Sequence, residues 1–251
     1  WGLGKLSDAI ACYRETMKIN PDYGMAHYNL HALLLAPDDM GPAVQCLRRA
    51  LEISPDRSDY HFMLGMLLDY SGTQDQAGPH LEAAANGTEL DGANLDAWSH
   101  IKSSPSPSSR ITIIGSRIQA YKISLDASPT VGLIMEFGVQ HGTSIRQIAD
   151  LVSQQVHGFD SFEGLPEDWH SEPKGSYSTY GVVPKVPKNV ILHVGWFEDS
   201  LPTFLEKHSG PARLIHIDCD TYASTKVVLE TLAKRVVAGT VLVFDEFIGN
   251  L

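Results

Sequence analysis

Four carboxylates follow two short apolar runs in the C-terminal half of the sequence. Asp218 and Asp220 come after one run, and Asp245 and Glu246 come after the next. If the runs are neighbouring parallel strands, their carboxyl ends bring the four acids to one edge of a sheet. Crowded carboxylates repel one another unless a cation pairs with them, and oxygen ligands of this kind suit Mg²⁺. The pattern therefore favours a metal site over the alternative, a set of helix caps and solvated loop ends.

A glycine-containing turn follows another apolar run further upstream. It reads Glu136-Phe-Gly138-Val-Gln-His-Gly142-Thr-Ser144, whose E-x-G-x-x-x-G spacing differs from the G-x-G-x-x-G dinucleotide fingerprint. Gly142 permits a tight turn before a helix, and Gly138 removes a side chain where a ligand would approach the backbone. An acid on the strand suits a ligand that carries ammonium or sulfonium charge. By itself, the pattern is equally typical of a structural strand–turn–helix connection.

Two other apolar runs also end in residues that can bind a nucleoside. Asp160 stands about 20 residues beyond the glycine turn, where a carboxylate can accept hydrogen bonds from two ribose hydroxyls. The alternative is that Asp160 caps a turn. Gly195, Trp196 and Phe197 follow a later run and can form the flat side of an adenine pocket, although such aromatic residues equally often belong to a core.

These sites require a particular arrangement of elements. Short apolar runs alternate with helical spacing in the C-terminal half, which predicts crossover connections and a mostly parallel sheet. In such a sheet, ligands bind at the carboxyl ends of the strands. The predicted strands are 132–137, 155–160, 190–194, 214–218 and 241–245, and the predicted helices are 111–125, 145–153 and 224–236.

The N-terminal third repeats itself with a period of 34 residues, as the pairs Pro21/Pro55 and Ala9/Ala43 show. Each repeat has an amphipathic helix and a proline-containing turn, which predicts an all-α solenoid. The pattern resembles the tetratricopeptide repeat, and the resemblance implies a docking surface for a protein partner. A generic array of helical hairpins is the alternative. Pro79 is expected to interrupt a degenerate third repeat.

The two halves are separated by residues 91–109, where the composition changes. The segment Leu95–Ile101 is typical of a short helix that caps the solenoid. The Ser/Pro run 103–109 predicts an extended linker, because such residues cannot build a core. The sequence thus predicts tetratricopeptide-like repeats over residues 1–90 and a second domain over residues 110–251.

Five motifs of the second domain occur in an order that resembles the class I S-adenosylmethionine methyltransferases. They are E-F-G-V-x-x-G-x-S, G-F-D-S-F-x-G-L-P, G-W-F-x-D-S-L-P, H-I-D-C-D-x-Y-x-S-T and V-F-D-E-F. Within that class they are most similar to the branch named for macrocin O-methyltransferase, which methylates sugar hydroxyls with Mg²⁺. The resemblance implies a Rossmann-like α/β fold. Since that fold has two further strands, we expect the domain to be incomplete at its C-terminus.

The resemblance also implies a role for each motif. S-adenosylmethionine would lie along the glycine turn, with Asp160 holding its ribose. The predicted cofactor-binding residues are Glu136, Gly138, Gly142, Ser144, Asp160, Ser161, Gly195 and Trp196.

The metal site implied by the resemblance consists of Asp218, Asp245 and Glu246. Mg²⁺ held there would lower the pKa of an acceptor hydroxyl that attacks the sulfonium methyl in line. Asp220 is either a further ligand or the catalytic base, and Asp218 is the other candidate for the base. His216 alternates to the same face as Asp218, but a histidine within a strand is more often structural.

The composition excludes several partners. The chain has 30 acidic and 19 basic residues, and this acidic excess argues against nucleic acid, because binding phosphates needs a basic face. No apolar stretch approaches the roughly 20 residues that span a bilayer. Three scattered cysteines predict a soluble intracellular protein in a reducing compartment.

The predicted function is an S-adenosylmethionine-dependent O-methyltransferase that acts on a hydroxyl of a small molecule or sugar. The repeats would dock the substrate or a protein partner, in an oligomer or larger assembly. The alternative is a non-catalytic scaffold that retains the methyltransferase fold. A nicotinamide-dependent oxidoreductase lacks the required glycine spacing.

Overall fold

A computed structural model of the chain describes residues 6–103 and 111–245. These residues form two compact units that divide between Gln119 and Ala120. We call residues up to Gln119 the helical unit and residues from Ala120 the sheet unit. The division lies later in the chain than the predicted domain start at residue 110.

In the helical unit, consecutive helices pack in pairs: α2 (Gly24–Leu34) packs on α3 (Gly41–Ile53), and α4 (Ser58–Tyr70) packs on α5 (Gln74–Ala85). Ala43 and Ala77 are fully buried, so a small residue at the repeated position lets neighbouring helices approach closely. This all-helical order is compatible with a repeat solenoid, while the tetratricopeptide assignment stays a prediction. The helices are α1 Leu6–Ile19, α2 Gly24–Leu34, α3 Gly41–Ile53, α4 Ser58–Tyr70, α5 Gln74–Ala85 and α6 Glu89–Ser103.

Three expectations for this region are wrong in detail. Helix α5 continues through Pro79 rather than stopping there. The predicted short cap is the long helix α6, whose Trp98 indole donates a 2.8 Å hydrogen bond to Asp69. The helix predicted from residue 111 starts later, because Ile111 and Ile113 instead pack against the core of the helical unit.

The described residues of the sheet unit form a parallel sheet, as the alternating pattern predicts, and its five strands lie in the order β3-β2-β1-β4-β5. Helix α9 was not predicted. Helix α7 begins before the division between the units and continues into the sheet unit. The elements are α7 Arg117–Ala127, β1 Leu133–Phe137, α8 Thr143–Asp150, β2 Val156–Asp160, β3 Val190–Val194, α9 Phe197–Lys207, β4 Ala212–Ile217, α10 Tyr222–Leu232 and β5 Val241–Phe244.

Both faces of the central strands are covered. Ile134 of β1 joins one core with residues of α7 and α8, whereas Met135 and Phe137 join a second core with residues of α9 and α10. A strand buried on both faces reads as a continuous apolar run, which explains why the strands could be found in the sequence. None of the described helices has the length and apolar character needed to cross a membrane.

Candidate functional site

The strand order places the carboxyl ends of β1, β4 and β5 side by side. Glu136 of β1 is paired in register with His216 of β4. Beyond the strands, the Asp218 amide donates a 2.8 Å hydrogen bond to Phe137, and the Asp245 amide donates a 3.0 Å hydrogen bond to Ile217. The two acids therefore leave adjacent strands at the same edge of the sheet.

One group of side chains at this edge has the geometry to hold a metal ion. Ligand atoms of His216, Asp218 and Asp245 all lie within 4.8 Å of one another, and no other such group occurs in the described parts of the chain. The structure thus brings together two of the predicted ligands, while Glu246 lies outside the described residues. His216 was interpreted as structural, yet its spacing of two from Asp218 was the signal that could have identified it.

His216 is fully buried between charged groups. Its Nδ1 lies 3.4 Å from Glu136 Oε2, and its Nε2 lies 3.8 Å from Asp245 Oδ1 and 3.3 Å from the Tyr121 hydroxyl. Burial by itself lowers the pKa of His216, but the interactions with Asp245 and Glu136 outweigh burial and raise that pKa to about 9. Without a metal, the imidazolium form is thus favoured at neutral pH.

Glu136 has protein partners on both sides. Its side chain is fully buried, and the Ser144 hydroxyl donates a 2.8 Å hydrogen bond to Oε1. Oε2, which faces His216, has no hydrogen-bond partner among the residues that the structure describes. Glu136 and Ser144 thus contribute to the site through His216, and their contact with a cofactor stays a prediction.

The backbone of Asp218 approaches position 138 so closely that only glycine fits there. Its φ is +91°, and a Cβ built on it would lie only 1.7 Å from the Asp218 carbonyl oxygen. The prediction attributed this glycine to an approaching ligand, whereas in the structure the approaching atom belongs to the strand next to it. Gly142 caps α8 with a φ of +75°. Both values favour glycine.

Asp160 holds the glycine turn in place. Its Oδ2 accepts 2.7 Å hydrogen bonds from the amides of Val139 and Gln140, and its Oδ1 accepts a 2.6 Å hydrogen bond from Phe162. A carboxylate has about four acceptor positions, so three of them are already used. The predicted contact with ribose would share this carboxylate with the turn.

The remaining predicted cofactor residues follow β2 and β3. The Ser161 hydroxyl accepts a 3.1 Å hydrogen bond from the Glu163 amide, and the Gly195 amide donates a 3.0 Å hydrogen bond to Asp160 O. Trp196 is half-buried at the start of α9. Phe197 packs edge-on against Phe137, with 5.4 Å between ring centroids, and thus belongs to the core. The link between β2 and β3 thereby lies beside the glycine turn.

Asp220 has an unusual backbone. Its φ of +58° lies in the left-handed region, which costs a non-glycine residue of order 1 kcal/mol. Thr221 follows it as the N-cap of α10 and accepts a 3.2 Å hydrogen bond from the Ser224 amide. The strained residue therefore stands directly between the metal-ligand candidate Asp218 and a well-capped helix.

Comparison with known proteins gives one match to a family model. Residues 135–247 match the family model of a methyltransferase domain. This match supports a methyltransferase. Such an enzyme uses S-adenosylmethionine as the methyl donor, and all of the predicted methyltransferase site residues fall within the matched range.

Two other comparisons add less. No curated protein matches the chain. Among solved structures, the chain is similar to the apo structure of CalS11, a TDP-rhamnose 3′-O-methyltransferase of calicheamicin biosynthesis, at 21% identity and a TM-score of 0.39. That match covers 66% of this chain and 82% of the other. At this score, it bears on neither the substrate nor the mechanism.

Proposed function

We propose that the sheet unit transfers a methyl group from S-adenosylmethionine to a hydroxyl of a small molecule or sugar, with a divalent cation at the site. The observation that carries this proposal is the convergence of His216, Asp218 and Asp245 beside the glycine turn. The family match supports the methyl donor. The glycine turn and the acids lie at the same edge of the sheet, which supports binding of the methyl donor next to the acceptor hydroxyl.

The residues present fit a divalent cation. Two carboxylates and an imidazole are common metal ligands. The buried Glu136 Oε2, which has no hydrogen-bond partner within the described ranges, adds negative charge behind them. Mg²⁺ is the ion expected from the sequence, with Glu246 as a further ligand. When bound, such a cation supplies a Lewis acid that lowers the pKa of a nearby hydroxyl.

The chain's own residues would perform the remaining steps. The glycine turn, braced by Asp160, would orient the donor so that its methyl group lies in line with the acceptor oxygen. Asp220 or Asp218 would accept the proton that the acceptor hydroxyl loses. The backbone contact between Gly138 and Asp218 supports this coupling, because it links the donor turn to the acids.

The first test is calorimetric titration of the full chain with S-adenosylmethionine and with S-adenosylhomocysteine. The proposal expects saturable binding of both. If neither binds, the methyltransferase proposal is wrong, and the scaffold alternative, in which the repeats bind a partner, is favoured.

The second test is Asp245→Ala in a screen of hydroxyl acceptors with labelled S-adenosylmethionine. We expect metal-dependent methyl transfer to fall by at least a hundredfold while cofactor binding changes little. Asp126→Ala, which removes an exposed acid of α7, is the matched control. Undiminished turnover in Asp245→Ala and in excess chelator would remove the metal from the mechanism.

A further inference from the structure

The two ring nitrogens of His216 face different surroundings. Nδ1 points to Glu136, while Nε2 points to the edge of the sheet where the two aspartates leave their strands. Two ligands held about 2.1 Å from one ion lie roughly 3.0 to 4.2 Å apart. The 3.8 Å between His216 Nε2 and Asp245 Oδ1 falls within that range. His216 is therefore placed as a ligand itself.

Glu136 stands where the second partner of a metal-bound histidine is expected. A metal-ligating histidine generally donates its other ring N–H to a carboxylate or carbonyl, which fixes the orientation of the ring. His216 Nδ1 and Glu136 Oε2 are 3.4 Å apart, and neither has a hydrogen-bond partner among the described residues. A proton on Nδ1 would satisfy both atoms. Ser144 fixes the other oxygen of Glu136.

We propose that His216 binds the metal through Nε2, with Glu136 as its positioning residue, and that the site therefore prefers a first-row transition ion such as Mn²⁺ to Mg²⁺. An imidazole with two carboxylates is a mixed nitrogen and oxygen donor set, whereas Mg²⁺ prefers oxygen ligands alone. The ion would take the place of the present contact between Nε2 and the Tyr121 hydroxyl. This inference rests on the metal site of the proposed function.

The test measures nitrogen coupling to bound Mn²⁺ in the full chain by pulsed electron paramagnetic resonance. We expect ¹⁴N modulation in the wild type and its loss in His216→Asn, with Mn²⁺ affinity lowered at least tenfold and Mg²⁺ affinity lowered less than threefold. Glu136→Gln should keep the modulation but weaken Mn²⁺ binding 10- to 100-fold.

His193→Asn is the matched control, because it tests whether the nitrogen coupling comes from a histidine other than His216. His193 of β3 lies 3.2 Å from His157 of β2, and these two are the strand histidines other than His216 in the described sheet unit. We expect this variant to keep the modulation. If His216→Asn does not fold, wild-type protein labelled with ¹⁵N-histidine reports histidine ligation directly, and His193→Asn and His157→Asn identify or eliminate that pair as its source.

The outcomes separate this inference from the proposed function. Mn²⁺ binding without nitrogen coupling would overturn the role of His216 and leave the carboxylate site standing. Loss of the coupling in His193→Asn, with retention in His216→Asn, would overturn it as well. If neither ion binds in the presence of S-adenosylhomocysteine, both the metal site and this inference are wrong, while cofactor binding remains a separate measurement.

Discussion

Both units bury polar side chains, but they arrange them differently. In the helical unit, Asp91 accepts hydrogen bonds from Thr88 and Ser58, and the buried His31 contacts the ring and the carbonyl oxygen of Tyr28. In the sheet unit, Glu136 and His216 are buried next to each other at one edge. Burial of a polar group alone therefore does not identify a site. Convergence of several such groups does.

The difference follows from the geometry of the elements. Stacked helices distribute polar residues along the whole array, so that groups such as Asp91 with Thr88 and Ser58 form separately from one another. Parallel strands send all their carboxyl ends to one edge, so residues distant in sequence meet there. A comparison of matched substitutions in the two units tests this contrast.

The largest expected effect concerns the close backbone approach at Gly138. Gly138→Ala places a Cβ 1.7 Å from the Asp218 carbonyl oxygen, so we expect a loss of more than about 4 kcal/mol in the free energy of unfolding. Gly195→Ala, whose Cβ would have its nearest neighbour at 4.0 Å, should lose only about 1–3 kcal/mol from its backbone angle. Urea unfolding followed by circular dichroism measures both.

Gly115→Ala introduces a comparable steric clash in the helical unit, because its Cβ would lie 1.8 Å from the Ala32 carbonyl oxygen. We expect it to destabilise the protein without weakening S-adenosylhomocysteine binding in the fraction that folds. Equal losses for Gly138→Ala and Gly195→Ala would contradict the importance of the Asp218 contact.

The next effect concerns two buried histidines. Burial lowers the pKa of His31 to about 4, and burial together with the charges of His193 and His208 lowers the pKa of His157 to about 4. Each folded-state pKa is below the unfolded value near 6.5. Each neutral histidine thus contributes stability above about pH 6.5 that is lost as the pH falls towards 4, by about 3 kcal/mol at most.

Thermal unfolding of His31→Leu and His157→Phe between pH 7 and pH 4 measures this effect. Each variant should lose less stability on acidification than the wild type. His193→Gln should reduce the acid sensitivity of the sheet unit alone, because His193 lies beside His157 and its charge contributes to the lowered pKa of His157. An unchanged acid response in both variants would show that other groups control it.

A smaller effect is expected at Asp160 and Asp91, two carboxylates that each accept three hydrogen bonds. Asp160→Asn and Asp91→Asn should each lose about 1–3 kcal/mol of stability. Only Asp160→Asn should also weaken S-adenosylhomocysteine binding, by at least tenfold, because Asp160 holds the glycine turn. Calorimetry with thermal unfolding checks both values, and equal binding in the two variants would refute the distinction.

The smallest effect concerns Asp69, which accepts hydrogen bonds from Trp98 and Lys102. Asp69→Asn keeps one acceptor oxygen, so we expect a loss of only about 1 kcal/mol in thermal unfolding. Cofactor and metal affinity should not change. A change in either affinity would mean that the helical unit influences the site.

The sheet was predictable because its central strands are buried on both faces and its apolar runs are bounded by glycines and acids. Helix α9 was missed, since its first aromatic residues, Trp196 and Phe197, resembled an adenine pocket and Pro202 lies inside it. The helix predicted from Ile111 starts later, because the apolar spacing there serves a different core. Where a helix begins, and which core an apolar residue joins, depend on tertiary contacts that cannot be deduced from the periodicity of the sequence.

The site was predictable to a similar extent. Asp218 and Asp245 were placed together, because strand ends meet in any parallel sheet. The position of His216 between Glu136 and Asp245, and the bonds from the amides of Val139 and Gln140 to Asp160, depend on distances between segments that are far apart in sequence. Alternation along a strand tells which face a residue occupies, but not which charge it faces.

The contact between Gly138 and the Asp218 carbonyl has an evolutionary consequence. Any side chain at position 138 would displace Asp218, so substitutions that adapt the glycine turn to a different ligand would also disturb this candidate metal ligand. Residues 161–189 connect β2 and β3 without a helix or strand, and none of their glycines approaches Asp218 in this way. We expect diversification of the acceptor to proceed through that connection while position 138 stays fixed.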